Sequence, residues 1–126
     1  MGVIALTNLA FKVADIDAAC AFYAQAGAEI RDRMEWNGAE RADVFLGPVM
    51  ITLFTRAIYE DVIEVPEGFL HPALMTDDLD GALAGADVFW GPAVVEGPFG
   101  VRRIAFVHAP GNMRLEFMEQ LEAPKA

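Results

Sequence analysis

Apolar and polar positions alternate from the start of the chain's first clear element. Leu9, Phe11 and Val13 fall on one side of an extended segment, and Asn8, Ala10 and Lys12 on the other. A period of two with one apolar side predicts a half-buried strand. The spacing changes at Asp15. In DIDAACAFYAQAG, residues Ile16, Ala19, Cys20, Tyr23 and Ala26 recur at helical spacing. Asp15 is placed to cap that helix and Gly27 to end it. Strand patterns return over 30–36 and 42–46, flanking Asn37-Gly38, a dipeptide suited to the positive φ angles of a tight hairpin. Gly47-Pro48 then turns the chain into a strand over 49–54.

The second half repeats this order. A strand is predicted over 71–76, a helix over 79–86 capped by Asp78, and strands over 87–90, 101–107 and 113–119. WGPAVVEGPFG reads as a Gly/Pro-rich link between the first two of those strands, and Pro110-Gly111-Asn112 as a tight turn. LTNLAFKVADID (6–17) and FLHPALMTDDLD (69–80) share one pattern, a polar residue third and an acidic-apolar-acidic close. Asn8 to His71 is 71 − 8 = 63 residues, and Asp15 to Asp78 is 78 − 15 = 63. The chain is therefore read as two β-α-β-β-β modules, about 5–55 and 69–119, joined by a polar connection over about 56–68.

Composition narrows the function classes. The chain has 126 residues, enough for one domain, 1–126, with a real core. Nineteen acidic against nine basic side chains give a net charge of −10, which disfavours nucleic acid as a partner. Cys20 is the only cysteine, so an internal disulfide and a cysteine metal site are ruled out. No secretory signal is readable, and no apolar run approaches the roughly 20 residues a membrane span needs. A cytoplasmic protein with no membrane partner is expected.

NLAFKVADIDAACAFY (8–23), HPALMTDDLDGALA (71–84) and GVRRIAFVHAPGNMRLEF (100–117) resemble phrases of the vicinal oxygen chelate superfamily. That superfamily includes glyoxalase I, extradiol dioxygenases, methylmalonyl-CoA epimerase, and the fosfomycin- and bleomycin-resistance proteins. The resemblance implies an α+β fold in which two repeated modules form a curled mixed sheet around a cup-shaped pocket for a small-molecule ligand. It implies a divalent metal ion held by one residue near the start and one near the end of each module, here Asn8, Thr52, His71 and Glu116. It also implies a homodimer, sometimes built by exchange of modules.

Alternation supports the four positions independently. Ile51 and Leu53 take the apolar side of their strand, leaving Thr52 on the other, and Leu115 and Phe117 do the same for Glu116. A strict offset of 63 would instead match Leu53 to Glu116, and in either register the matched position supplies no carboxylate. His71 and Glu116 are the strong donors, whereas Asn8 and Thr52 are weak neutral ones. This counts against ring-cleaving dioxygenase and glyoxalase I activity. Three readings of the His71–Glu116 pair stand open: ligands of one divalent metal ion, a buried structural pair, or an acid/base pair in which Glu116 abstracts a proton and His71 orients it or donates. Arg102 could hold an anion or stand as a solvated strand arginine beside Arg103. Trp36 and Phe54 are candidate pocket walls. His108 is expected to be exposed and Cys20 to be structural. The function expected is a lyase or isomerase acting on a small oxygenated organic substrate with an incomplete metal site. The alternative is a non-catalytic binding protein of the antibiotic-resistance type.

Overall fold

A computed structural model describes residues 2–125. The element order is the expected one. Strand β1 (Val3–Lys12), helix α1 (Ile16–Gln25) and strands β2 (Glu29–Trp36), β3 (Ala39–Leu46) and β4 (Val49–Phe54) are followed by β5 (Gly68–Thr76), α2 (Leu79–Leu83), β6 (Asp87–Gly97), β7 (Gly100–Ala109) and β8 (Met113–Glu122). The fold is α+β, built from two repeated β-α-β-β-β modules of mixed strands. Two compact units carry them: Asn8–Leu70 is one, and residues 2–7 with 71–125 are the other.

In the first unit β1 runs parallel to β4, and β3 pairs antiparallel with both β4 and β2. The β2–β3 hairpin turns at Asn37 and Gly38, with φ of 51° and 75°. Helix α1 begins where the Asp15 carboxylate accepts a hydrogen bond from Ala18 N at 3.0 Å. It buries Ile16 and Cys20 against Ala42, Val44, Ile51 and Leu53, with Leu9, Phe11 and Val13 packed around them. Every one of these strand residues sits on the apolar side of its alternation. Burial pushes the Cys20 thiol up from its usual value, which suits a packing residue better than a nucleophile.

The second unit repeats the plan. β5 is parallel to β8, β8 pairs with β7, and β7 with β6. Asp78 caps α2 by accepting from Gly81 N at 3.0 Å, and Leu79 is fully buried beneath it. Two details differ from the sequence expectation. Helix α2 is one short turn, cut off before Gly85, whose φ is 74°. WGPAVVEGPFG is mostly strand: β6 continues through it to Gly97, pairing with β7 and shifting register between Val88 and Ala93. Those bulges take up Gly91-Pro92, because a proline that cannot donate to a ladder is tolerated where the ladder is already interrupted.

The connection is anchored rather than loose. Ile58–Asp61 forms a 3-10 turn that buries Tyr59 completely. Glu60 accepts from Ala57 N at 2.6 Å and from Lys12 Nζ at 2.8 Å, and Lys12 also donates to Val65 O at 2.8 Å. Burial raises the Glu60 carboxyl, but the Lys12 and Ala57 hydrogen bonds outweigh it and the net shift is downward from 4.5. A carboxylate lowered in the folded state stabilises above its unfolded value and loses that contribution as pH falls through the folded one. Glu60→Gln is expected to cost about 1–3 kcal/mol at neutral pH. The gap from wild type narrows as pH drops below 4.5, which denaturant titrations across that range will measure.

Candidate functional site

In the second module, alternation along β5 puts His71, Ala73 and Met75 on the side away from α2. Ala73 pairs with Glu116 and Met75 with Met118, so those β8 residues share that side, and Phe106 joins it opposite Glu116. His71 Nε2 and Glu116 Oε1 approach to 3.3 Å, with their side chains 5% and 12% exposed. The His71 ring meets the edge of Phe106 at 4.9 Å, and Trp90 meets Phe106 at 5.7 Å. An imidazole and a carboxylate thus lie in contact beside an aromatic wall, where water is scarce and charge interactions are strong.

Arg102 lies two residues along β7 from Ile104, on the Phe106 side of the strand. Its Nε donates to Gln120 Oε1 at 2.7 Å, its guanidinium covers the Phe99 ring at 4.7 Å, and Nη1 is 3.5 Å from the Met118 sulfur. The structure thus ties Arg102 to Gln120 and Phe99. His108 is exposed and stacks on Phe89 at 4.6 Å.

The first module holds the matching positions with different chemistry. Ala10 pairs with Thr52 as Ala73 pairs with Glu116, so Thr52, and not Leu53, is the counterpart of Glu116. Leu53 is 1% exposed and belongs to the apolar cluster under α1. Asn8 Nδ2 donates to Thr52 Oγ1 at 2.9 Å, where the second module has its His71–Glu116 contact. Thr52 Oγ1 in turn donates to Asp43 Oδ1 at 2.9 Å, and Arg41 Nη2 donates to the same oxygen at 2.8 Å. Arg41 also lies over Phe54 at 5.9 Å, and Phe54 faces Trp36 at 6.1 Å.

Arg41 and Asp43 are the residues that inspection of the two repeat phrases overlooked. Asp43 gives the first module a carboxylate on its polar side, although the position matched to Glu116 has none. The signal was present: in AERADVFL, Ala42 and Val44 take the helix side, so Arg41 and Asp43 must take the other. Both are buried, at 5% and 6% exposure. Burial pushes the Asp43 carboxyl up from 3.8, against the opposing pull of Arg41 and Thr52.

Among the described residues no group of three or more His, Cys, Asp or Glu side chains is placed to hold a metal ion. His71 and Glu116 make two donors, where catalytic zinc and iron sites take three from the protein. In the first module the Thr52 hydroxyl is engaged by Asn8 and Asp43, and Asp43 is engaged by Arg41. The donor set does not fit a tightly held divalent ion.

Removing one partner of the buried Arg41–Asp43 pair leaves the other uncompensated. Arg41→Met alone is expected to cost about 3–5 kcal/mol. Combined with Asp43→Leu, most of that loss should return, because apolar replacements of both partners leave no buried charge. Equilibrium denaturation of the single and double variants measures the difference.

No protein-family model matches this chain, and no curated protein matches it by sequence. Solved structures do match it. A hypothetical protein from Bacillus halodurans C-125 superposes with a TM-score of 0.74 at 19% identity, covering 97% of this chain and 98% of that one. A variant of Streptomyces coelicolor methylmalonyl-CoA epimerase in complex with 2-nitronate-propionyl-CoA gives 0.72 at 22% identity, over 98% and 99%. A variant of glyoxalase I from Zea mays gives 0.68 at 18% identity, over 98% of this chain and 46% of that one. At these identities the likeness establishes the fold alone, which the chain shares with methylmalonyl-CoA epimerase and glyoxalase I.

Proposed function

We propose that the chain is an isomerase or lyase that moves a proton on a small oxygenated organic substrate, with Glu116 as the base and His71 as its partner. The observation that carries this reading is the 3.3 Å contact between His71 Nε2 and Glu116 Oε1, held against Phe106. A carboxylate in that position can take a proton from a carbon next to a carbonyl. The C–H electron pair moves onto the carbonyl oxygen as an enolate, and His71 supports that oxygen or orients Glu116. Return of the proton to the opposite side of the carbon gives an isomer. Departure of a group from the neighbouring carbon gives a lyase product. The fold is compatible, since an epimerase shares it, although a fold by itself does not assign a reaction.

In the second module this reading gives Arg102 a role in binding substrate. In the first it gives that role to Asn8, Thr52, Trp36 and Phe54. The reading includes a homodimer and a cytoplasmic setting. The sequence resemblance supports the dimer, and a buried free Cys20 suits a reducing compartment. No helix among the described residues is long and apolar enough to cross a membrane. The second reading is a small-molecule binding protein without turnover. What favours it is the neutral Asn8–Thr52 pair, which offers neither a base nor a strong metal ligand.

The test is exchange of substrate C–H for deuterium from D2O, followed by 1H NMR over a panel of small hydroxy acids, oxo acids and thioesters. Wild type is expected to exchange at least one of them, and Glu116→Gln to slow that exchange by about 10²–10⁴-fold. Metal content of tag-free protein should fall well below one ion per chain. Exchange indifferent to Glu116→Gln overturns the proton-transfer reading. Binding of panel members without exchange favours the binding protein. Stoichiometric metal that disappears in His71→Ala makes the pair a metal site instead.

A further inference from the structure

The ladder between β7 and β8 sets a second polar pair one rung from Glu116. Phe106 pairs with Glu116 and His108 with Arg114, so all four side chains leave the same side of the strands. Arg114 is half-buried and His108 is exposed. A run of contacts connects His108 to the proposed base. His108 stacks on Phe89 at 4.6 Å, Phe89 faces Phe106 at 6.1 Å, Phe106 meets His71 at 4.9 Å, and His71 lies 3.3 Å from Glu116. Arg114 is two residues from Glu116 along β8, a separation of about 7 Å at the rise of a strand. Arg102, on the same side, stands opposite Gln120, four residues from Glu116.

The fold does not call for basic groups at this rung. Thr52 is the first module's counterpart of Glu116, and Asp43, which pairs with Thr52, is that of Phe106. One rung on, Phe45 pairs with Met50 where the second module pairs His108 with Arg114. Apolar side chains therefore fill this rung in one copy of the fold. Stability does not explain the basic pair either. A carboxylate opposite Arg114 would attract it across the strands, whereas a histidine there is neutral or repels it. Asp87 pairs with His108 from β6, on the side away from Arg114, and is exposed. Two nitrogen-bearing side chains on one rung beside a proton-transfer pair make a place for an anion.

We propose that Arg114, with His108 beside it, binds the carboxylate of the substrate, so that the site takes small carboxylic acids. The planar guanidinium fork matches the two oxygens of a carboxylate, and the exposed imidazole of His108 supplies a further donor. Held there, the acid extends along β8 towards Glu116 and the Phe106 ring. A separation of about 7 Å suits a substrate whose exchanging carbon lies one or two bonds from its carboxylate. This inference rests on the reading of Glu116 as the base, and it names the substrate class of that same site.

The experiment titrates the full 15N-labelled chain, carrying Glu116→Gln to prevent turnover, with 2-oxobutanoate and with its neutral methyl ester. Affinity is read from the backbone amide of His108, and the place of binding from the Arg114 Nε–H signal, assigned by its absence in Arg114→Met. The acid is expected to move both signals saturably, and the ester to bind at least about tenfold more weakly. Adding Arg114→Met should bring acid and ester within about twofold while the thermal midpoint holds, since Met50 fills the matching place in the first module. Should that variant fail to fold, Arg114→Lys replaces it, and the preference should fall because the charge stays but the fork is lost. Equal binding of acid and ester, an acid that leaves the Arg114 signal unmoved, or an undiminished preference in the variant overturns the proposal. So does inorganic phosphate that binds more tightly than the acid. Deuterium exchange with Glu116 intact separates the two readings. Equal exchange into acid and ester keeps the proton transfer and sinks the carboxylate site, whereas acid binding at Arg114 without any exchange does the reverse.

Discussion

Each module depends on the short parallel ladder between its first and last strands. Ala10 against Thr52, and Ala73 against Glu116, set which residues of those strands face the helix and which face away. Because side chains alternate with a period of two, a slip of one residue would expose Ile51 and Leu53 and bury Thr52 in the apolar cluster. The apolar packing under α1 and the polar network on the other side are thus two results of one register. Neither can be altered independently of the other.

Much of this was legible in the chain. The strand and helix order, both aspartate caps, the Asn37-Gly38 hairpin and the side on which Asn8, Thr52, His71 and Glu116 lie all follow from alternation and turn chemistry. Three things were not. β6 was hidden because Gly91 and Pro92 mark a turn by local rule, while pairing with β7 carries the strand through them as a bulge. The choice between Thr52 and Leu53 needed the ladder, since the two modules differ by one residue between their first and last strands. Arg41 and Asp43 were missed because attention to positions shared by both repeats passes over residues that only one repeat has.

Those unshared residues are where the modules diverge in physical character. The second surrounds its His71–Glu116 contact with Phe106, Trp90, Ile104 and Met118, so its polar pair is small and its neighbours apolar. The first spreads its polarity over Asn8, Thr52, Asp43 and Arg41, with a full buried ion pair at the far end. The two modules share the strand geometry, which packing enforces, while the side away from the helix carries different chemistry in each. A repeated architecture therefore holds two unlike sets of functional groups on nearly the same backbone.

The two compact units do not coincide with the two sequence repeats. Residues 2–7 of β1 group with 71–125, and residues 68–70 of β5 group with the first unit. Gly2 O accepts from Asp77 N and from Thr76 Oγ1, tying the chain's start to its second half. Cutting the chain in the connection, as for a split reporter, would therefore not release two self-sufficient halves. The C-terminal piece would lack strand residues 3–7, and the N-terminal piece would carry them without the unit to which they belong.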